Sequence, residues 1–177
     1  LAGSIFYMFN HGFSTAALFL VLGFLVKRRG SAQVDAFGGV QKTAPVLAGM
    51  FLFAGLATMS LPGISNFIGE FMVLAGAWSR HPVYVAVATL GMVLGAVYIL
   101  LTYKRTMTGP LTQATKAHVT TDLTGLEKAA LTPLVILLLV FGFFPRPMLH
   151  VIEPVAHQTM SIVGVTDPAP AAEEGVK

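Results

Sequence analysis

The apolar run of residues 43–79 is too long to be one ordinary membrane helix. As a straight helix it would extend about 55 Å, whereas the hydrocarbon core of a bilayer is about 30 Å thick. The run contains the sequence Leu61-Pro62-Gly63, in which Pro62 and Gly63 disfavour continued helix. We therefore predict a broken helix, with one half ending near Leu61 and the other beginning around Ser65. Lipid cannot satisfy the freed backbone groups, so the break should lie within protein or against water.

Further apolar segments are long enough to cross a bilayer, at residues 1–26, 81–103 and 127–145. Hydrophobic residues make up 55% of the chain and charged residues only 11%, against about 25% charged in soluble domains. The predicted fold class is therefore an all-α membrane protein with four transmembrane helices, the second of which is broken at Pro62.

The basic residues fall mainly in two segments, residues 27–42 and 104–128. Under the positive-inside rule these segments are cytoplasmic, and residue 1 and the C-terminus then face outward. Because an outward start without a signal sequence is unusual, we also expect further helices before Leu1.

Two C-terminal segments differ from the spanning runs. Residues 146–164 have a polar and an apolar face at helical spacing, which predicts an amphipathic helix in the outer interface, bent or interrupted at Pro154. Residues 165–177 are rich in Ala, Pro and Glu and are predicted to be disordered.

Glu70 is the most informative polar residue because it lies close to the predicted break. A charge near the bilayer centre costs about 2.5–3.5 kcal/mol on insertion scales, and such residues commonly belong to proton or ion pathways. Broken helices line ion sites in transporters. Asn66 lies one turn earlier and could hydrogen-bond the carboxylate. The alternatives are a plain proline kink and a Glu side chain that extends to water at the helix end.

The first apolar segment has a polar stripe. At 100° per residue, one face of this helix collects hydroxyl, amide and imidazole groups, namely Ser4, Tyr7, Asn10, His11, Ser14 and Thr15. Because histidine exchanges protons near neutral pH, this stripe could conduct protons through ordered water. The alternative is a helix-packing face on which His11 is merely hydrogen-bonded.

Other chemistries find little support. His150, Glu153 and His157 form a loose group that we interpret as a solvated helix face rather than a metal site. The chain has no cysteine, and its net charge of +3 is not concentrated in one patch, which argues against a nucleic-acid partner. No phosphate-binding loop, dinucleotide fingerprint or hydrolytic triad is recognisable.

Three stretches, FNHGFSTAALFLVLGFL, LPGISNFIGEF and FGFFPRPML, resemble the antiporter-like proton-pumping subunits of respiratory complex I. The likeness covers essentially the whole chain and corresponds to the last third of such a subunit. It implies that the four helices are helices eleven to fourteen of a fourteen-helix fold. A Glu at position 70 resembles the M-type members, since the L- and N-type members usually carry Lys there.

The resemblance also implies roles and partners. His11 matches the central histidine of the proton relay and Glu70 its terminal carboxylate, and both would be buried in a hydrated axis at the middle of the membrane. Further relay residues would precede Leu1. The neighbours would be L- and N-type membrane subunits and lipid. No cofactor is expected in this chain, and FMN, iron–sulfur clusters and quinone belong to other subunits. A multi-pass protein of the bacterial plasma membrane, with its C-terminus on the periplasmic side, is expected.

Other functions remain open at this stage. Subunits of multisubunit cation/proton antiporters and of membrane-bound hydrogenase complexes share this fold. A purely structural membrane scaffold, in which the polar groups only hold helices together, is a third possibility.

Overall fold

A computed structural model describes residues 1–164, which form seven α-helices and no β-strand. The helices are α1 (Ala2–Arg29), α2 (Pro45–Thr58), α3 (Ser65–Trp78), α4 (Pro82–Met107), α5 (Gln113–His118), α6 (Gly125–Phe143) and α7 (Arg146–Ile162). The segment predicted to be disordered, residues 165–177, lies outside the described residues.

Local sequence explains several helix ends. Helix α1 stops at Gly30, which adopts a left-handed conformation (φ 71°) and donates its N–H to the Val26 carbonyl. Helices α2 and α4 each begin with a proline, which has no N–H to leave unpaired. Thr124 and Glu127 cap the start of α6 reciprocally. These helix boundaries therefore follow from the local sequence.

Helices α1, α4 and α6 are each long and apolar enough to cross a membrane. A fourth crossing would need a bent combination of elements, such as residues 34–42 with α2, which meet at 115°. Taken alone, α2 and α3 have 14 residues each, which corresponds to about 21 Å and is short for a span. Within residues 1–164 the architecture is thus all-helical, with three helices long and apolar enough to span a membrane and several shorter elements.

Helix α1 lies at the centre and packs against α2, α3, α6 and α7. Its buried side chains Ala17, Val21 and Leu25 belong to the main apolar core, together with residues of α2 and of the two segments that are rich in basic residues. A smaller cluster of Ala57, Ile64 and Leu138 joins the end of α2 to α6. Consequently, the main core packs against the C-terminal half of α1, and the smaller cluster packs at the level of the break.

Helix α7 is continuous through Pro154, so of the two predicted forms, bent or interrupted, the interrupted one does not occur. A proline inside a helix leaves the carbonyl four residues earlier without its partner. That residue is His150, which is exposed, so water can hydrate the carbonyl. The apolar side chains Val151 and Val155 are also exposed, whereas Ile152 is buried against the bundle.

A partly buried ion pair joins α1 to α6. The Arg28 guanidinium donates to both Glu127 carboxylate oxygens, at 2.9 and 2.6 Å, and to the carbonyls of Thr121 and Asp122, at 2.9 Å each. The Asp122 carboxylate in turn accepts the N–H groups of Val46 and Leu47 at the start of α2. The Arg28 and Glu127 side chains are only 9% and 13% exposed. This network therefore fixes the ends of three helices to one another.

We expect Arg28→Ala to destabilise the protein by about 3 kcal/mol, because it leaves a largely buried carboxylate and two carbonyls unpaired. The measurement is the thermal unfolding midpoint of the purified full-length subunit in detergent. Lys27→Ala is the matched control, since Lys27 is exposed and has no ion pair within residues 1–164. Equal midpoint shifts in the two variants would contradict this prediction.

Candidate functional site

Three of the side chains predicted to be functional, Tyr7, His11 and Glu70, meet at a cavity of about 310 Å³ between α1, the end of α2, α3 and α4. Its lining consists of Tyr7, His11, Thr58, Met59, Glu70, Ala88, Gly91, Met92, Gly95 and Tyr98. The α4 wall is made largely of small residues. The cavity is an open cleft rather than an enclosed chamber.

Glu70 is half-buried in this cleft. Among residues 1–164 it has no hydrogen bond or ion pair, so its carboxylate is available to water or to an exchanging group. The hydrogen bond expected from Asn66 is not formed. Asn66 instead donates from Nδ2 to the Ser14 hydroxyl on α1, at 2.8 Å. Residues four apart on a helix are offset by about 40°, and here that offset turns Asn66 toward α1 and Glu70 toward the cleft.

His11 lies on the cleft wall formed by α1. Its ring stacks on Tyr7, with 5.5 Å between the ring centroids and 18° between the planes. Its Nε2 lies 3.3 Å from the Thr15 hydroxyl. The sequence predicted that Glu70 and His11 are buried, whereas within residues 1–164 Glu70 is half-buried and His11 is exposed.

The polar stripe of α1 divides into two halves. Tyr7 and His11 face the cleft, whereas Asn10 and Ser14 are completely buried. Asn10 donates to the Phe6 carbonyl at 2.8 Å, and Ser14 donates to the His11 carbonyl at 3.1 Å. The stripe is thus a packing face at Asn10 and Ser14 and a wall of the cleft at Tyr7 and His11.

The break between α2 and α3 occupies residues 59–64 and adjoins the cleft. Ser60 and Gly63 have positive φ angles of 57° and 96°, which turn the chain sharply. Pro62 and Gly63 are exposed, whereas Ser60 is buried. The Gly63 carbonyl packs against Gly142 of α6, where an added Cβ would lie 2.5 Å from its oxygen. The break is therefore half covered by α6 and half open.

Comparison with known proteins identifies the family of this chain. The family model described as NADH:quinone oxidoreductase/Mrp antiporter, TM, matches residues 1–95, which include α1, the break and Glu70. The chain belongs to this family. It is therefore an integral membrane protein.

Individual relatives specify the likeness further. NADH-quinone oxidoreductase subunit M of Mycobacterium tuberculosis is 47% identical over 175 residues, which cover 99% of this chain and 31% of the relative. Subunit M of Rickettsia prowazekii is 38% identical over 151 residues, covering 85% of this chain and 30% of the relative. The predicted resemblance to M-type subunits is thus confirmed. The chain spans about a third of the length of these relatives.

Solved structures show the same fold. A chain of respiratory complex I from Thermus thermophilus with bound NADH superposes with a TM-score of 0.77 and 31% identity, covering 88% of this chain and 32% of that chain. A chain of the Mrp complex from Dietzia superposes with a TM-score of 0.72 at 20% identity, covering 84% and 36%. The second match shows a common fold alone.

The contribution of α4 to the site was not predicted from the sequence. Tyr98 lines the cleft, together with Gly91 and Gly95. A signal was present, since Ala88, Gly91, Gly95 and Tyr98 recur at helical spacing within an otherwise bulky apolar helix. This spacing predicts that the four residues share one face of α4. It does not predict which helix that face packs against.

We expect Gly142→Ala to destabilise the protein by about 1–3 kcal/mol, since the new methyl group would collide with the backbone of the break. Gly125→Ala, on the same helix, is the control because a Cβ there meets no atom within 4 Å. The unfolding midpoints of the two full-length variants provide the comparison. An unchanged midpoint for Gly142→Ala would show that the break and α6 are not closely packed.

Proposed function

We propose that this protein is a proton-translocating membrane-arm subunit of NADH:quinone oxidoreductase, in which Glu70 and His11 exchange protons. The observation that carries the proposal is the common cleft of a carboxylate and an imidazole beside a helix break. The 47% identity to a subunit M supports the assignment to this complex.

The cleft has the properties that proton exchange requires. A volume of about 310 Å³ accommodates about ten water molecules at about 30 Å³ each. A proton released by the Glu70 carboxyl group would pass through such water to the ring of His11, which the Thr15 hydroxyl and the stack on Tyr7 orient. The exchange changes the charge of both groups and requires no redox centre in this chain.

The helix break supports the same function. Thr58 and Met59, where α2 ends, line the cleft. The interruption therefore brings the C-terminal end of the half-helix α2 to the exchanging groups. Broken helices are used in this way at the ion sites of transporters.

In addition, the amide oxygens of Asn10 and Asn66 are buried without a partner in residues 1–164. Water normally satisfies acceptors of this kind.

In the proposed membrane arrangement, α1, α4 and α6 each form one crossing and α2 with α3 form a fourth, broken crossing. These would be helices eleven to fourteen of the fourteen-helix fold. The basic loops would face the cytoplasm and the C-terminus the periplasm of a bacterial cell. Helix α7 would lie in the outer interface, with the exposed Val151 and Val155 in lipid and the exposed His150, Glu153 and His157 in water.

The proposal divides the work of the complex between subunits. NADH oxidation, with FMN, iron–sulfur clusters and quinone, would belong to other subunits, and this chain would adjoin the L- and N-type membrane subunits. Within residues 1–164 no three or more His, Cys, Asp and Glu side chains are grouped so that they could hold a metal.

A second candidate is a subunit of a multisubunit cation/proton antiporter. It is favoured by the family description, which includes Mrp antiporters, and by the fold shared with the Dietzia complex. Sodium-dependent proton exchange in the absence of NADH would support this alternative. NADH-dependent pumping without sodium dependence would exclude it.

We expect Glu70→Gln to reduce NADH-driven acidification of inside-out vesicles by roughly a hundredfold, the typical contribution of a positioned acid–base group. Vesicles are compared at equal amounts of assembled complex. Glu153→Gln is the matched control, because that carboxylate is exposed on α7 and outside the cleft. A wild-type ratio of protons pumped to electrons transferred in Glu70→Gln would remove Glu70 from the pathway and leave a scaffold role.

A further inference from the structure

Helices α1 and α3 touch through their backbones next to the cleft. An added Cβ at Gly69 would lie 2.7 Å from the Tyr7 Cα and 2.8 Å from its backbone nitrogen. At Gly3 an added Cβ would lie 2.6 Å from the Met72 Cβ and 3.3 Å from the Met72 carbonyl carbon. Because these neighbours are backbone atoms or the Cβ carbons attached to them, no side-chain rotation could relieve either contact.

The Gly69 contact joins the two walls that carry the exchanging groups. Gly69 immediately precedes Glu70, and its contact partner is Tyr7, on which the His11 ring stacks. Glu70, Tyr7 and His11 all line the cleft. The separation of α1 and α3 at Gly69 therefore sets the separation between the carboxylate and the stacked ring pair.

We infer that Gly69 is a positioning residue. Because it has no side chain, α1 and α3 can meet at backbone distance, and this contact sets how far the Glu70 carboxylate lies from Tyr7 and His11. Its consequence for pumping rests on the proposed function, whereas its effect on the surroundings of Glu70 does not.

The magnitude of the contact makes the effect measurable. Ordinary van der Waals contact begins at 3.4 Å, whereas the methyl group of an alanine at position 69 would lie 2.7 Å from Tyr7. Relieving this overlap would separate the helices by about 0.7 Å. Proton transfer requires heavy atoms about 2.6–3.2 Å apart, directly or through one water molecule. A displacement of this size consequently disturbs a hydrogen-bonded path without unfolding either helix.

The experiment compares Gly69→Ala with Gly76→Ala in the assembled complex. Gly76 lies on the same helix, but a Cβ there meets no atom within 4 Å. The first readout is the infrared carbonyl band of the protonated Glu70 carboxyl group, identified as the band that Glu70→Gln removes and followed across pH. The second readout is NADH-driven pumping at equal amounts of complex.

Gly69→Ala is expected to shift the pH midpoint of the Glu70 band and to lower pumping by roughly tenfold or more. Gly76→Ala should match the wild type in both readouts. A wild-type band titration in assembled Gly69→Ala complex overturns the inference, as does an equal shift in Gly76→Ala.

Gly3→Ala keeps the test decisive if Gly69→Ala does not assemble. It separates the same two helices farther from Glu70, so a smaller shift in the same direction is expected, and a wild-type titration overturns the inference. The proposed function fails separately, if Glu70→Gln pumps normally while Gly69→Ala still shifts the band.

Discussion

Helices α1 and α3 meet at backbone distance, with Gly69 against Tyr7 and a hydrogen bond from Asn66 to Ser14. In a bilayer the hydrophobic effect does not drive helices together, because lipid is as apolar as the side chains. Close van der Waals contact at small residues and interhelical hydrogen bonds provide the association instead. The two contacts define one orientation of α1, in which Asn10 and Ser14 are buried while Tyr7 and His11 reach the cleft. The geometry of the site therefore depends on this helix pair.

The break is stable only because its backbone has specific surroundings. Unpaired N–H and C=O groups cannot remain in lipid, and several groups in residues 59–64 bond locally, including the Leu61 N–H to the Leu56 carbonyl and the Ile64 N–H to the Leu61 carbonyl. Gly142 lets α6 cover the remainder closely. The open side of the break adjoins the cleft, where water is expected. Under the proposed function, the water that would serve proton exchange would also solvate the broken backbone, so the interruption and the cleft would support each other.

Sequence reasoning works where the signal is local. Pro62 and Gly63 mark the interruption because neither residue favours a continuing helix, and the period of polar residues in α1 identifies the face that carries His11. The sequence could not reveal which face meets which helix. The pairing of Arg28 with Glu127 links residues 99 positions apart, and Tyr98 enters the site through the packing of α4. The sequence also could not show that Asn66 turns away from Glu70. Helical spacing predicts the angle between two side chains on one helix, but not where the neighbouring helices lie.

Helix α4 is the wall of the cleft that is held least firmly within this chain. Only four of its side chains are buried, those of Val85, Ile99, Thr106 and Met107, and most of its other residues are exposed. In lipid this exposure has little energetic cost, so it does not press α4 against the bundle. The contact of Ile99 with Gly55 of α2 is close, and a Cβ at Gly55 would lie 2.8 Å from the Ile99 methyl group. The cleft therefore combines two walls, α1 and α3, that meet at backbone distance with a third wall, α4, that is largely exposed within residues 1–164.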